Sequence, residues 1–181
     1  MLSKKVAIVT GSTSGIGLGI AQRLAQAGCH LVINGLGDAQ DIEKVCQTLR
    51  ATHNVDVLFH GADLSQTEAC QDLVRATLER WGRVDILVNN AGIQHVAPVE
   101  TFSLEQWRKV IDINLTAPFA LIQSVLPTMR QHNWGRIINI ASVHGLVASN
   151  GKSAYVAAKH GLLGLTKVVA LETATTAVIP F

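Results

Sequence analysis

The chain contains a single tyrosine, followed four residues on by a lysine, in the run Tyr155-Val156-Ala157-Ala158-Lys159. On a helix, positions i and i+4 share a face, so the Lys159 ammonium can stand beside the phenol. A cation there favours phenolate and draws an ordinary phenol pKa of about 10 toward the working pH. Such a phenol can pass a proton to or from an alcohol oxygen while a hydride moves. Read alone, the spacing describes an ordinary helix pair with a half-buried tyrosine. Thirteen residues before the tyrosine, Ser142 ends a strand-like run and offers a hydroxyl to hold the same substrate oxygen. Asn114, in Asp112-Ile113-Asn114-Leu115, is a polar residue inside an apolar helical stretch. Asparagine is disfavoured there, which suggests a local task such as positioning a proton-relay water near Lys159. An exposed asparagine is the competing reading.

A second group of residues has the chemistry of phosphate recognition. Gly11, Gly15 and Gly17 form a GxxxGxG turn, Thr10-Gly11-Ser12-Thr13-Ser14-Gly15-Ile16-Gly17, between an apolar run and a helical one. Glycine allows close backbone approach, and a helix N-terminus turns free N–H groups and a positive dipole end toward an anion. A tight turn alone would use the same glycines; the position after a first strand shifts the reading toward a dinucleotide fold. The second strand-like run ends Asn34-Gly35-Leu36-Gly37, with Asp38 near but no carboxylate at the ribose position. No Arg or Lys occurs between His30 and Glu43, so a 2′-phosphate would lack a cation, and the expected cofactor is NAD rather than NADP. Asp63 has two readings, acceptor for an adenine amino group or cap of the next helix.

These residues need a scaffold that brings them to one edge. Short β-branched runs at 5–10, 30–34, 55–61, 84–89 and 136–141 alternate with helical patterns at 15–27, 39–52, 66–81, 104–131 and 154–173. Continuous apolar strands separated by helices imply an α/β, doubly wound parallel sheet of Rossmann type, with ligands beyond the strand carboxyl ends. The segments 10–17, 34–37, 63–64, 89–92 and 142–144 fall at such ends. Pro118 and Pro127 predict a kink or break within 104–131. Residues 177–181 read as the start of a sixth strand, so 1–181 is expected to be one nucleotide-binding domain. Of the 181 residues, 48% are hydrophobic and 15% charged, which excludes a disordered chain. Net charge is +2 with scattered basic residues and 4% aromatics, so nucleic acid is not an expected partner. No uninterrupted apolar run reaches bilayer length, and no membrane association is expected. Three cysteines, 29, 46 and 70, form no CxxC pair and predict free thiols in a cytoplasmic protein. Histidine and cysteine spacing gives no metal motif.

Thr10–Gly17 as TGxxxGIG, Asn89-Asn90-Ala91-Gly92, Asn114, Ser142 and Tyr155/Lys159 together resemble the short-chain dehydrogenases/reductases, in order and over essentially the whole chain. The resemblance implies a catalytic tetrad of Asn114, Ser142, Tyr155 and Lys159. It also implies a cofactor site drawing on Gly11, Thr13, Ser14, Gly15, Ile16, Gly17, Leu36, Asp63, Leu64, Asn90, Ala91, Gly92 and Ile113, together with Tyr155 and Lys159. The segments 92–98, 34–37 and 142–149 are similar to those of the bacterial D-3-hydroxybutyrate dehydrogenase group. There the matching Gln94, His144 and Lys152, with Ser142 and Tyr155, hold a small hydroxy or keto acid. Amide, imidazole and ammonium suit a carboxylate; read alone, Lys152 is a turn lysine and His144 packs in its loop. Family members continue into a lid and a further strand, so the resemblance implies a chain shortened at its C-terminus and a homotetramer when complete. Two other functions fit the same residues: a 3-oxoacyl reductase or related alcohol dehydrogenase, and a catalytically silent nucleotide-binding fragment.

Overall fold

The computed structural model describes residues 2–181. Six parallel strands form one sheet: β1 (Val6–Val9), β2 (His30–Asn34), β3 (Val57–His60), β4 (Ile86–Asn89), β5 (Gly135–Asn139) and β6 (Val178–Pro180). Their order is β3-β2-β1-β4-β5-β6, with the reversal between β1 and β4 that opens a crevice at the strand ends. The helices are α1 (Gly15–Gln26), α2 (Ala39–His53), α3 (Thr67–Trp81), α4 (Leu104–Ile111), α5 (Ala117–Gln131) and α6 (Ser153–Glu172). Fold and element order are those the sequence implied, with ends moved by a residue or two. The strand-like tail does pair, Val178 with Gly135 and Ile179 with Arg136.

Both faces of the sheet are covered, which is why its strands are apolar throughout. Ile8, Val32, Leu87 and Ile137 pack toward Leu73, Leu121 and Met129, whereas Val9, Leu31, Ile33 and Val88 pack toward Ala21, Ala25 and Leu49. Alternate residues along each strand thus serve the two helical layers. Cys29, Cys46 and Cys70 are separate, buried free thiols. Burial pushes the Cys29 and Cys70 thiols up to about 11.

At the lower rim, the buried Asp85 carboxylate accepts from Lys5 Nζ at 3.0 Å, Arg83 Nε at 2.8 Å and the Val6 amide at 2.9 Å. Burial opposes its charge, but the bonds from Arg83, Val6 and Lys5 win and hold the carboxyl below the ordinary range. The amino ends of β1 and β4 are fixed by this cluster.

The expected break near Pro118 is absent. Helix runs from Leu104 to Gln131, widened by one π-helical turn at Asp112–Thr116 in which the Ala117 amide bonds the Asp112 carbonyl. Pro118 falls directly after that turn, at the second residue of α5. Pro127 lies inside α5 without ending it. This stretch is long and apolar enough, by length and composition, to cross a membrane. Its apolarity has another use here, since Ala117, Ala120, Leu121, Ile122, Val125 and Met129 lie in the core.

Candidate active site

The glycine turn is built by close approach. Gly11 (φ +61°) and Gly15 (φ +56°) hold left-handed conformations. A Cβ at Gly17 would overlap the Gly11 carbonyl oxygen and lie 2.5 Å from Asn90 Nδ2. Asn90 stitches this turn to the end of β4, its Nδ2 donating to the carbonyls of Thr10 (2.8 Å) and Gly11 (3.1 Å). Thr10 Oγ1 returns the tie by accepting the Asn90 and Ala91 amides at 3.0 Å each. Ser14 occupies the N-cap of α1 without a side-chain cap, so the helix start keeps its N–H groups for a ligand.

Beside the turn lies a cavity of about 330 Å³. Of the expected cofactor residues, Gly11, Thr13, Ser14, Leu36, Asp63 and Leu64 line it on one side. Asn90, Ala91, Gly92 and Ile113 line it on the other. Gly15, Ile16 and Gly17 do not touch it: Gly17 is buried beneath the turn, and the Ile16 side chain is exposed. Four further lining residues, Asn34, Gly35, Ala62 and Ile93, were not assigned from sequence. Asn34 had a signal, a buried amide ending an apolar strand. Its Nδ2 donates to the carbonyls of His60 (3.1 Å) and Ala62 (3.0 Å), and its Oδ1 accepts the Gly11 amide at 3.4 Å. One amide thereby joins the ends of β1, β2 and β3.

Asp38 caps α2, accepting the Gln40 amide at 2.8 Å. Asp63 does not cap α3, whose N-cap is Gln66; its Oδ1 accepts from the Ser65 amide and hydroxyl at 2.9 and 2.8 Å. Those bonds hold the Asp63 carboxyl below its ordinary value, so it meets the cavity as an anion. No Lys or Arg lines the cavity.

Beyond Gly92 the four residues expected to do acid–base chemistry gather. Asn114, fully buried in the π turn, donates Nδ2 to the carbonyls of Ile93 and Val110, each at 2.8 Å. Its Oδ1 is buried with no partner. A Cβ at Gly92 would sit 2.6 Å from that oxygen and 3.9 Å from Lys159 Nζ, so the glycine leaves the space between them open. Lys159 is 4% exposed and donates to the Ile140 carbonyl at 2.7 Å. Burial pulls its ammonium below the ordinary lysine range. Nζ stands 5.6 Å from the centre of the Tyr155 ring, whose other neighbour is His144, edge-on with centroids 5.8 Å apart. His144 in turn meets Ser142, Nδ1 to Oγ at 3.3 Å.

The loops carrying the expected carboxylate donors meet through the Ala97 amide, which bonds the Gly151 carbonyl at 2.9 Å. That bond ties the segment of Gln94 to the turn before Lys152. Gln94 is exposed and Lys152 partly so. Among the described residues, no three His, Cys, Asp or Glu side chains are grouped to hold a metal ion.

The arrangement fits a nicotinamide dinucleotide: a glycine cradle that added methyl groups would fill, an open helix start, and a buried acceptor oxygen at the inner end. Comparison with known proteins agrees. A model of the short chain dehydrogenase family matches residues 5–179. The chain is 56% identical over 178 residues to a D-beta-hydroxybutyrate dehydrogenase of Cupriavidus necator, covering 98% of this chain and 68% of that one. It is 51% identical over 174 residues to a protein of the same name from Rhizobium meliloti, covering 96% of this chain and 67% of the other. A metagenomic short-chain oxidoreductase solved in complex with NADP superposes with a TM-score of 0.93 at 34% identity, over 99% of this chain and 80% of its own.

Proposed function

This chain belongs to the short-chain dehydrogenase family, and we propose that it is an NAD-dependent oxidoreductase interconverting D-3-hydroxybutyrate and acetoacetate. The observation that carries the proposal is the continuity of the site. Gly92 lines the dinucleotide cavity and also abuts Asn114 and Lys159, so acid–base groups begin where a nicotinamide would end.

In this reading Gly11, Thr13, Ser14, Leu36, Asp63, Leu64, Asn90, Ala91 and Ile113 hold the cofactor. Bound nicotinamide supplies the hydride acceptor. Ser142 Oγ holds the C3 oxygen of the substrate, and the Tyr155 phenol oxygen takes the hydroxyl proton as the carbonyl forms. The Lys159 ammonium, in a site of low polarity, offsets negative charge developing on that oxygen. Asn114 Oδ1 and Lys159 Nζ flank the path by which a water relays the proton outward. Gln94, His144 and Lys152 supply donors for the carboxylate.

The preference for NAD rests on the adenosine end. Asn34, Gly35 and Leu36 carry no cation to meet a 2′-phosphate, and Asp38 is committed to its helix cap. The solved relative with NADP makes this the point to test. Fluorescence titration with NADH and NADPH, alongside turnover of D-3-hydroxybutyrate, should give tighter NADH binding and acetoacetate as product. Much tighter NADPH binding, with reduction of a 3-oxoacyl thioester and none of acetoacetate, would favour the acyl-reductase alternative. Nucleotide binding without turnover of either substrate would leave a binding fragment.

A further inference from the structure

His144 stands between two serines. Its Nδ1 lies 3.3 Å from Ser142 Oγ and its Nε2 lies 2.7 Å from Ser149 Oγ. The His144 backbone amide also donates to Ser142 Oγ, at 3.2 Å. Nδ1 therefore faces the reaction centre, and Nε2 faces the loop that ends in Ser149.

A neutral imidazole has one donor nitrogen and one acceptor, so the tautomer decides what each serine can do. With the proton on Nε2, Nδ1 takes the single hydroxyl proton of Ser142 and leaves that hydroxyl no donor for a substrate oxygen. With the proton on Nδ1, Ser142 Oγ receives two donors and its own proton is free for a substrate oxygen. Only the second arrangement serves a hydroxy-acid dehydrogenase. It requires Nε2 to accept, and the Ser149 hydroxyl is the group within hydrogen-bond distance of it.

We propose that Ser149 is a positioning residue whose hydroxyl, by donating to His144 Nε2, holds the proton on Nδ1 and so frees the Ser142 hydroxyl to donate to the substrate. Its functional half rests on the hydroxy-acid reading above; the tautomer does not. Ser149 is exposed, and its hydroxyl bonds only His144 among the described residues, so truncating it leaves the packing untouched.

Long-range ¹H–¹⁵N NMR of His144 in alkaline buffer reads the tautomer directly, and titrating the NADH-loaded protein with acetoacetate reads its use. Wild type and Ser149→Thr should both carry the proton on Nδ1. Ser149→Ala and the isosteric Ser149→Val should move it toward Nε2 and weaken acetoacetate binding by about fivefold, the worth of one hydrogen bond. Wild type with the proton on Nε2, or Ser149→Ala keeping the wild-type tautomer, would overturn the proposal. So would a moved tautomer with unchanged acetoacetate affinity. If the tautomer moves as expected while no variant, wild type included, binds acetoacetate, the Ser149 assignment stands and the substrate reading falls.

Discussion

Two glycines of α1, two residues apart, should respond in opposite directions to the same added methyl. A Cβ at Gly17 overlaps the Gly11 carbonyl oxygen and lies 2.5 Å from Asn90 Nδ2, whereas at Gly19 it meets nothing within 4 Å. The atoms opposing Gly17 cannot yield cheaply, because one is backbone and the other is held by the carbonyls of Thr10 and Gly11. Overpacking of this kind costs up to about 3 kcal/mol, and the better helix propensity of alanine returns about 1, leaving a net loss of about 2 kcal/mol. For a chain of this size that is a fall in Tm of about 4–8 °C. Gly19→Ala should instead gain about 0.5–1 kcal/mol and raise Tm by roughly 1–4 °C. Gly17→Ala also shifts the turn over which pyrophosphate would lie, so NADH affinity should drop about fivefold for each hydrogen bond lost, with Gly19→Ala unchanged. Thermal melts and NADH fluorescence titrations on the 181-residue protein suffice. If both variants melt on the same side of wild type, or Gly17→Ala binds NADH as wild type does, the close approach is not what shapes the turn.

Tyr155→Phe should cut turnover by about 10²–10⁴-fold while leaving NADH binding intact, because it deletes the acid–base group and keeps the ring; steady-state rates beside a titration check both halves. Lys152→Ala should raise KM for D-3-hydroxybutyrate about 10–150-fold with a smaller change in kcat, since an ammonium–carboxylate contact forms in ground and transition states alike; a neutral alcohol substrate should hardly notice. Lys159 should tilt stability with pH: its folded value lies below the ordinary lysine value of about 10.4, so between the two the unfolded chain binds more protons and stability rises with pH. Denaturant unfolding at several pH values should show that rise in wild type and a flatter profile in Lys159→Met. Phe119, Val168 and Leu171 are exposed along α5 and α6, apolar surface suited to subunit contact; light scattering is expected to report an oligomer, and a clean monomer at micromolar concentration would count against that interface.

The sheet was legible because parallel strands buried on both faces leave continuous apolar runs, and the runs at 30–34 and 86–89 stand out against the helices around them. The residues gathered at the candidate site were legible from type and spacing, Tyr155 and Lys159 most directly because a helix enforces the i, i+4 relation. What was not legible depends on contacts that have no period. The π turn adds a residue to a helix whose apolar pattern tolerates it, and Pro118 read as a breaker because its place after a wide turn is invisible in sequence. Asp63 has two readings in sequence because nothing there shows that the Ser65 amide and hydroxyl bond its Oδ1. Ser149 gave no signal at all, five residues from His144 in an irregular loop. Asn34 signalled its burial but not its three partners.

Only two carboxylate or ammonium side chains are buried among the described residues, and they are treated in opposite ways. Asp85 is met by Lys5, Arg83 and a backbone amide, which is how a fold keeps a structural charge. Lys159, at the other rim, has no acidic partner among the described residues and a single carbonyl acceptor. The amide across from it is neutral: Asn114, whose Oδ1 borders the same space that Gly92 leaves open beside Nζ. An ammonium held this way costs stability, and a leucine or methionine would pack there without that cost. Neutral amides can fix the backbone of the crevice just as well, as Asn34 and Asn90 do. The charge therefore brings the fold a carbonyl bond but no ion pair, and the ring beside it is that of Tyr155. Holding a cation desolvated beside a phenol is the arrangement that makes its field strong where an oxygen becomes negative.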